Sequence, residues 1–530
     1  MIKKISLLTL LGFASFGALA APRPNIVVIL VDDMGFSDLG CYGSEIPTPN
    51  IDHLAATGLR FTQFHNDSRC CPSRATILTG LYSHEAGIGH MTETRNAPDG
   101  EAEPGYLGHL NDNCVTIAEV LRDAGYFTAM AGKWHVGQVG NAGVVPWHRG
   151  FDCSLDAPAG GFYYPQDKRA HIYLNGKDEG VGGMDGLPKD WYSTDLWTEY
   201  GLKFIDVAHA AKKPFFLYLA YNAPHFPLEA PADDIAKFRG KYMKGWDQLR
   251  EERYQRQIQL GIIDKSWPLS PRPAEVKAWD SLTPEAKDRF DHIMAVYAAC
   301  VYHMDKEVGV LVDGLAKRGD LDNTLIMLMS DNGGNYESGP RGRLEGSVPG
   351  GPDSQVFCGQ SWATLENTPF RRYKHFEHEG GTSTPLVVHW PDGIQGKDEL
   401  RDQRGHLIDI MATCVDVGGA KYPTAFNGHK IHPMDGKSLA PAFANQPIQR
   451  DAIYWEHEGN AAILKDDWKL VRFRWNGPWE LYNLKTDRTE QQNLSAEKPD
   501  LVKSLSEKWT AWARQANVFP ELHNEFMQFN

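Results

Sequence analysis

Two runs of apolar, largely β-branched residues constrain the fold of this chain more than any other feature. They occupy 25–31 and 324–329. Oxygen-bearing side chains follow both runs directly, namely Asp32, Asp33, Asp331 and Asn332. Continuous apolar runs of this length are typical of parallel strands buried on both faces. Because ligands of open α/β sheets lie beyond the carboxyl ends of the strands, we expect the two polar pairs to face one site.

The rest of the long N-terminal part repeats this layout. Apolar runs at 127–131 and 215–220 also end close to polar residues, and the segments 115–124 and 298–317 have the period of amphipathic helices. Strands that alternate with helices indicate an α/β class. We therefore predict a large mixed, mostly parallel sheet flanked by helices.

The pattern of apolar and aromatic residues changes after about residue 440. Short aromatic runs at 452–455, 461–464 and 468–474 precede an amphipathic segment at 498–515. This pattern predicts a small antiparallel sheet with one covering helix. We accordingly divide the chain into a large α/β domain at 21–440 and a small C-terminal α+β subdomain at 441–530.

Two segments within the larger domain differ in composition from their surroundings. Residues 234–291 are charged and helical in character, and they are interpreted as an insertion or lid beside the site. Residues 339–359 are rich in Gly, Pro and Ser, which predicts a loop near Asp331.

The first 20 residues have the layout of a signal peptide. Lys3 and Lys4 precede an apolar run at 7–11, and small residues at 18–20 provide a cleavage site. An uncleaved anchor is the alternative, but the interrupted run is short for a span of about 20 residues. We expect an exported protein, periplasmic or secreted, without stable membrane insertion.

Charge and cysteine content exclude some classes of function. The formal net charge of −14 argues against binding to nucleic acid or to anionic membranes, which requires a basic face. A local basic cluster at 371–375 is the exception, and its place shortly before Glu379 favours a role in the site. Eight cysteines in 530 residues do not form a dense disulfide framework. Those outside 70–71 are interpreted as buried thiols or one isolated bridge.

The polar pairs at the strand ends have the chemistry of a hard cation site. Asp32, Asp33, Asp331 and Asn332 offer only oxygen donors, which suit Ca²⁺ or Mg²⁺ and suit Zn²⁺ poorly. Calcium is the better match and magnesium the alternative.

A motif in the first fifth of the chain carries the strongest functional signal. Residues 70–80 read Cys-Cys-Pro-Ser-Arg, then a largely apolar stretch, then Thr-Gly. The motif resembles the signature at which sulfatases convert a cysteine, here Cys70, into formylglycine. Cys71 stands where that family usually has a small residue.

Further elements follow in the order of the sulfatase family, so the resemblance covers nearly the whole chain after the leader. They are Val31-Asp32-Asp33-Met34-Gly35, Thr48-Pro49-Asn50-Ile51-Asp52, Gly132-Lys133-Trp134-His135, Ala223-Pro224-His225, Ser330-Asp331-Asn332-Gly333, and Lys374 with Glu379-Gly380-Gly381. The chain looks most like bacterial arylsulfatases of the alkaline-phosphatase superfamily.

The resemblance implies hydrolysis of sulfate monoesters by a hydrated formylglycine. One hydroxyl of the gem-diol attacks sulfur, and deprotonation of the other expels sulfate and restores the aldehyde. A formylglycine-generating enzyme or an anaerobic sulfatase-maturating enzyme would be needed as a partner. The substrate would be an aryl sulfate or a sulfated glycan.

The same resemblance implies roles for individual residues. Asp32, Asp33, Asp331, Asn332 and the modified Cys70 would bind the cation. Arg74 would hold the formylglycine, and Lys133 would bridge the nucleophile and the sulfate. His135 would accept the proton that triggers sulfate release. His225 and Lys374 would contact the sulfate and protonate or stabilise the leaving oxygen.

Two other functions remain open at this point. Phosphonate monoester hydrolases and phosphodiesterases of the superfamily use the same aldehyde, because sulfate and phosphate esters share a tetrahedral centre. An inactive binder of sulfated glycans would keep the fold without turnover. The aromatic group at 160–164, with Trp362, is either a sugar-stacking wall or core packing.

Overall fold

The structure is a computed structural model that describes residues 23–93, 103–137, 144–183 and 186–519. The predicted signal peptide at 1–20 lies outside the described residues.

The described residues contain strands and helices throughout. The strands are β1 Asn25–Val31, β2 Leu59–His65, β3 Phe127–Lys133, β4 Cys153–Ala157, β5 His171–Leu174, β6 Lys177–Val181, β7 Phe215–Ala220, β8 Thr324–Ser330, β9 Arg343–Glu345, β10 Gln355–Phe357, β11 Ser383–His389, β12 Glu399–Arg401, β13 Gly405–His406, β14 Ala425–Phe426, β15 His429–Lys430, β16 Ile453–His457, β17 Asn460–Lys465, β18 Trp468–Arg472 and β19 Glu480–Asn483. The α-helices are α1 Pro49–Ala56, α2 Cys70–Thr79, α3 Ile117–Asp123, α4 Ser193–Ala210, α5 Ala232–Phe238, α6 Gly245–Gln259, α7 Pro284–Arg318, α8 Gly359–Glu366, α9 Glu379–Thr382, α10 Ile408–Val417, α11 Ala440–Phe443 and α12 Pro499–Gln515. Short 3-10 helices occupy Gly40–Tyr42, Pro146–His148, Trp279–Ser281 and Leu321–Asn323.

Most of the strands belong to one large mixed sheet. Its order is β12-β2-β11-β8-β1-β7-β3-β4-β5-β6, and β13 also pairs with β2. The central strand β1 runs parallel to β7 and β8, and β3 runs parallel to β7 and β4. Antiparallel pairs occur toward the two sides, at β11 and at β5. The predicted α/β class, with its mixed and mostly parallel sheet, is confirmed.

The central strands are buried on both faces, as their continuous apolar sequences require. On one face Val27 and Ile29 pack in a cluster that includes residues of α4 and α7. On the other face Ile26 and Val28 pack in a cluster that includes residues of α2, α3 and α10. The sheet is therefore covered by helices on both sides.

The C-terminal part contains the predicted antiparallel sheet and helix. Strands β16, β17, β18 and β19 form a four-stranded sheet, and Trp509 of α12 packs in a cluster with Ile463 and Leu470. The boundary near residue 440, and the division at 21–440 and 441–530, stay predictions.

Three local expectations can be compared with the structure. The helix expected at 298–317 begins earlier, at Pro284, so the last part of the segment interpreted as a lid belongs to α7. The loop at 339–359 contains the short hairpin of β9 and β10. Trp362 is fully buried against Trp246, which identifies it as core packing and not as part of a sugar-stacking wall.

Cysteine pairing and membrane helices can also be checked. All eight cysteines lie within the described ranges and are free thiols, with Cys153 only partly buried. Among the helices of these ranges, none combines the length and the apolar character that crossing a bilayer demands.

Candidate active site

The residues selected from the sequence meet at the carboxyl ends of the central strands. Asp32 and Asp33 follow β1, and Asp331 and Asn332 follow its parallel neighbour β8. Lys133 is the last residue of β3. Since these strands are parallel neighbours of one another or of β7, their ends reach one edge of the sheet.

A glycine allows β3 to approach its neighbour at this edge. Gly132 has a φ of +121°, and a Cβ built on it would lie 1.9 Å from the carbonyl oxygen of Ala220 at the end of β7. Only glycine fits this position without strain. The glycine therefore places Lys133 close to the loop that leads to His225.

Asp32 is held by two cationic side chains. Lys133 Nζ donates to its Oδ2 at 2.7 Å, and Arg74 Nη2 lies 3.4 Å from the same oxygen. Burial alone would raise the pKa of Asp32, but Lys133, His225 and Arg74 hold it well below its usual value. The carboxylate is therefore charged, and Lys133 remains protonated because its own pKa is raised by Asp32 despite burial.

Asp33 is the acceptor for three neighbouring side chains. Lys374 Nζ and Asn332 Nδ2 each donate to Oδ1 at 2.7 Å, and Asn335 Nδ2 donates to Oδ2 at 2.9 Å. His225 Nε2 lies 3.6 Å from Oδ2. The backbone of Asp33 has a φ of +67°, a conformation that few non-glycine residues adopt and that functional sites often contain.

Arg74 joins the two acidic loops from the side of α2. Its Nη2 donates to Asp331 Oδ2 at 2.8 Å and its Nη1 to the Lys133 carbonyl oxygen at 3.0 Å. The side chain is fully buried. Arg74 therefore fixes the start of the loop after β8 relative to the end of β3.

The loops that follow β1 and β8 contain side-chain oxygens without hydrogen-bond partners among the described residues. Asp32 Oδ1 and Asn332 Oδ1 are buried and make no hydrogen bond with the described residues. Buried acceptors normally have partners, so unpaired ones at a functional edge require an explanation. Together with Asp33 and Asp331 they form an oxygen-only set, which fits a Ca²⁺-like or Mg²⁺-like cation. One ligand atom of each of Asp32, Asp33 and His225 also lies within 4.8 Å of the others.

Cys70 is the first residue of α2 and is buried beside the cationic groups. Its side chain, that of Cys71 and that of His135 lie within 4.8 Å of one another. A hydrogen bond with Cys71 lowers the pKa of the Cys70 thiol well below its usual value, and Lys133 and His135 lower it further against the effect of burial. Burial raises the pKa of Cys71, so the two thiols differ sharply in acidity.

The two site histidines have different surroundings. His135 Nε2 contacts Glu93 Oε1 at 2.7 Å. Burial and Lys133 oppose protonation of His135, but Cys70 and Glu93 outweigh them and raise its pKa. His225 lies beside Asp33, and burial lowers its pKa despite the two aspartates.

All the residues selected from the sequence therefore lie around one site, but the sequence analysis did not select three polar residues beside it. Asn335 contacts Asp33, Glu93 contacts His135, and Glu337 accepts from Arg69 Nη1 at 2.6 Å and lines the cavity beside Asp33. Asn335 could have been found, because it follows the Asp-Asn-Gly-Gly run directly. No comparable spacing marks Glu93 or Glu337.

A small cleft of about 10 Å³, enough for about one water molecule, lies beside Asp33. The rings of Phe226 and Phe357 face each other there at a centroid distance of 4.7 Å, and Glu337 lines the same cleft. Phe226 also stacks on His225 with a centroid distance of 4.4 Å. The cleft thus places aromatic surface next to the polar site.

Comparison with known protein families gives two matches. A family model described as "Sulfatase" matches residues 24–420, which is well over half of the chain. A second model, described as "N-sulphoglucosamine sulphohydrolase, C-terminal", matches residues 371–515.

Curated relatives and a solved structure agree with the family match. An uncharacterised sulfatase of Schizosaccharomyces pombe is 35% identical over 538 residues, with 94% of both chains covered. An arylsulfatase of Klebsiella aerogenes is 34% identical over 436 residues, with 79% of this chain and 91% of that protein covered. The crystal structure of Ps i-CgsB in complex with k-i-k-neocarrahexaose superposes with a TM-score of 0.69 at 28% identity, and 96% of each chain is covered.

Proposed function

Because this chain belongs to the sulfatase family and is a sulfuric ester hydrolase, we propose that it cleaves sulfate monoesters at Cys70 after conversion of this residue to formylglycine. One observation carries the proposal. The thiol of Cys70 lies within 4.8 Å of His135, next to Lys133 and the acidic loops that follow β1 and β8. A nucleophile, a proton acceptor and cationic groups thus share one buried site.

The modification supplies chemistry that an encoded side chain lacks. A sulfated serine or cysteine would have no ready exit, whereas a hydrated aldehyde can release sulfate and reform its carbonyl. The low pKa of Cys70 belongs to the unmodified residue and is consistent with a reactive position. A formylglycine-generating or anaerobic maturating enzyme is proposed as the partner that performs the conversion.

Asp32, Asp33, Asp331 and Asn332 are proposed to hold a divalent cation, with residue 70 as a further ligand. Oxygen donors favour Ca²⁺, and Mg²⁺ is the alternative. When bound, such a cation stabilises the negative charge that develops on the sulfuryl group. The unpaired oxygens of Asp32 and Asn332 support this assignment.

The basic residues of the site are proposed to act on the sulfate and on the protons. Lys133 lies beside both Asp32 and Cys70 and can donate to the sulfate oxygens. His135 would remove the proton that starts sulfate release. Arg74 positions Asp331 and the end of β3.

His225 and Lys374 are proposed to serve the leaving group from the other side of Asp33. Both lie near this carboxylate, at 3.6 Å and 2.7 Å. A protonated donor near the ester oxygen facilitates departure of an alcohol or phenol.

The substrate class is proposed from the partly buried aromatic rings beside His225 and from the relatives. An aryl group or a sugar ring could pack against Phe226 and Phe357, which adjoin His225. One relative is named an arylsulfatase, another is named N-acetylgalactosamine-6-sulfatase, and the Ps i-CgsB structure contains a neocarrahexaose. We therefore propose a sulfated glycan or an aryl sulfate. Export to the periplasm or the medium is proposed from the leader-like N-terminus, which would bring the enzyme to such substrates.

A comparison of two ester types tests the proposal against a phosphodiesterase of the same superfamily. Protein in which the aldehyde has been confirmed should hydrolyse para-nitrophenyl sulfate with kcat/KM at least about 100-fold above that for bis(para-nitrophenyl) phosphate, a difference of about 2.7 kcal/mol. The reverse preference would establish the phosphodiesterase. Binding of sulfated glycans by the aldehyde-bearing protein without turnover of any ester would establish the inactive binder.

A further inference from the structure

A second cluster of metal-ligand side chains lies outside the oxygen-donor site. It consists of His375, His457 and Glu458, whose ligand atoms lie within 4.8 Å of one another. Two of these residues come from the C-terminal sheet, where His457 ends β16 and Glu458 starts the turn to β17. The third follows Lys374 directly. The cluster therefore joins the tip of a hairpin to a loop of the candidate active site.

The backbone at the cluster is fixed on both sides. Glu458 and Gly459 both have positive φ values, of 48° and 90°, as the tight turn of a two-residue hairpin requires. His375 has a φ of 82°, and its N–H donates to the Ser68 carbonyl oxygen at 2.7 Å. Asn460 Nδ2 donates to the His375 carbonyl oxygen at 2.8 Å. These bonds fix the loop that contains His375 relative to Ser68 and to the β16–β17 hairpin.

The ligand atoms converge on one point. Glu458 Oε2 lies 2.9 Å from His375 Nε2 and 3.9 Å from His457 Nε2. Tetrahedral zinc with bonds of about 2.0–2.1 Å places neighbouring ligand atoms about 3.3 Å apart. The two distances lie about 0.4 Å below and about 0.6 Å above this value, so the side chains would have to shift by this amount to hold the ion.

His457 is in the state that a metal ligand requires. Its side chain is fully buried, and its Nδ1 lies 3.4 Å from the Gly89 carbonyl oxygen. A proton on Nδ1 leaves the lone pair on Nε2, which makes no hydrogen bond with the described residues. An unpaired buried nitrogen is thus directed toward a carboxylate and a second imidazole.

The other clusters do not offer the same donors. His303 is grouped with Asp195 and Glu307, but both of its ring nitrogens contact carboxylates at 2.6 Å. The group of Cys70, Cys71 and His135 belongs to the candidate active site. Arg69, whose charge acts on Glu458, is paired with Glu337, which balances its charge.

We propose that His375, His457 and Glu458 bind a divalent transition metal, with Zn²⁺ as the expected ion. Two imidazoles and one carboxylate suit Zn²⁺, and they suit Ca²⁺ poorly. A bound ion would tie the β16–β17 hairpin to the loop that carries Lys374. The site is separate in position and in ligand chemistry from the oxygen-donor site, so its existence does not depend on the proposed reaction.

Metal binding to the full-length protein tests the site without any activity measurement. The protein is stripped with a chelator, returned to excess Ca²⁺ to occupy oxygen sites, and titrated with Co²⁺ or Zn²⁺. The Cys70→Ala variant serves as background, because it removes one ligand of the thiol-containing group. We expect one tightly bound Zn²⁺ per chain and a visible Co²⁺ spectrum without thiolate charge-transfer bands.

Variants of the cluster decide the assignment. His457→Ala and Glu458→Gln should each weaken Zn²⁺ affinity at least tenfold, and Glu458→Gln changes the side-chain shape little. His53→Ala, at an exposed histidine, is the matched control and should bind as the parent does. The proposal is overturned if Zn²⁺ does not bind in the presence of Ca²⁺, or if both cluster variants bind it as tightly as the control.

Discussion

Lys133 Nζ lies 2.7 Å from Asp32 Oδ2, and the two side chains are 1% and 0% exposed. A buried ion pair is costly to break from one side, because the remaining charge keeps its desolvation penalty. The Lys133–Asp32 pair therefore contributes to the stability of the folded protein, and both residues also belong to the proposed active site.

Replacement of Lys133 by Met should reveal how this side chain affects both the folding stability and the proposed cation site. Because Asp32 would lose a cationic partner, Lys133→Met should lower the free energy of unfolding by about 3 kcal/mol in chelator. Saturating Ca²⁺ should restore part of this loss, since the cation would neutralise the same carboxylate. Denaturant unfolding with and without Ca²⁺ measures the effect. Lys203→Met, at an exposed ion pair, is the control, and equal losses in the two variants would contradict the account.

Asn335 is expected to support the cation site through Asp33. Its Nδ2 donates to Asp33 Oδ2 at 2.9 Å and orients this carboxylate. Asn335→Ala should therefore raise the Ca²⁺ concentration needed for half-maximal activity by about 10–100-fold. The exposed Asn445→Ala variant provides the comparison. An unchanged Ca²⁺ dependence in Asn335→Ala would remove this residue from the site.

The sequence predicted the central part of this site and missed its surroundings for physical reasons. Asp32, Asp33 and Asp331 follow long apolar strands, so their convergence follows from the rule for parallel sheets. Asn335 lies in the same loop, directly after the Asp-Asn-Gly-Gly run, and this position was a signal that the sequence analysis did not use. Glu93 reaches His135 across 42 positions of sequence, a contact that depends on tertiary packing.

The start of α7 and the position of Trp362 also depend on information that sequence patterns do not contain. The amphipathic period located the second half of α7, but the charged first turns at Pro284 resembled the preceding segment. Trp362 follows a Gly-rich loop in the sequence. This position is compatible with an exposed side chain as well as with a buried one. Packing against Trp246, from a distant helix, decided its position. Sequence periodicity contains no information about such a partner.

Glu379 is expected to hold the C-terminal sheet against the large sheet. Its Oε1 accepts from Lys469 Nζ at 2.8 Å and its Oε2 from Arg488 Nε at 2.9 Å, with all three side chains fully buried. Glu379→Gln would leave two buried cations with a weaker acceptor. We expect a loss of about 3–5 kcal/mol in the free energy of unfolding, measured by denaturant titration. Glu497→Gln, at an exposed site, should change it by less than about 0.5 kcal/mol, and a similar small effect in Glu379→Gln would refute the role.

Glu85 should make stability depend on pH. Burial raises its pKa to about 10 from 4.5, and the nearby Asp435 carboxyl adds to the shift. The folded state then keeps a proton that the unfolded state releases, so stability is full below pH 4.5 and falls as pH rises toward 10.

Glu85→Gln removes this titration and should therefore reduce the loss of folding stability at high pH. Its Tm relative to the parent should be clearly higher at about pH 9 than at about pH 5. Glu507→Gln, at an exposed position, should show the same difference from the parent at both pH values. A pH-independent difference for Glu85→Gln would show that this carboxyl does not titrate as described.

The central claim, that an aldehyde at position 70 cleaves sulfate esters, is tested most directly by one paired measurement. The mass of the peptide that contains Cys70 is determined in protein from an aldehyde-forming host, and release of inorganic sulfate from an aryl sulfate is followed with the same sample and with Cys70→Ala. We predict a peptide in which the aldehyde replaces the thiol, turnover that scales with the converted fraction, and no turnover in Cys70→Ala. Undiminished sulfate release by Cys70→Ala would contradict the account.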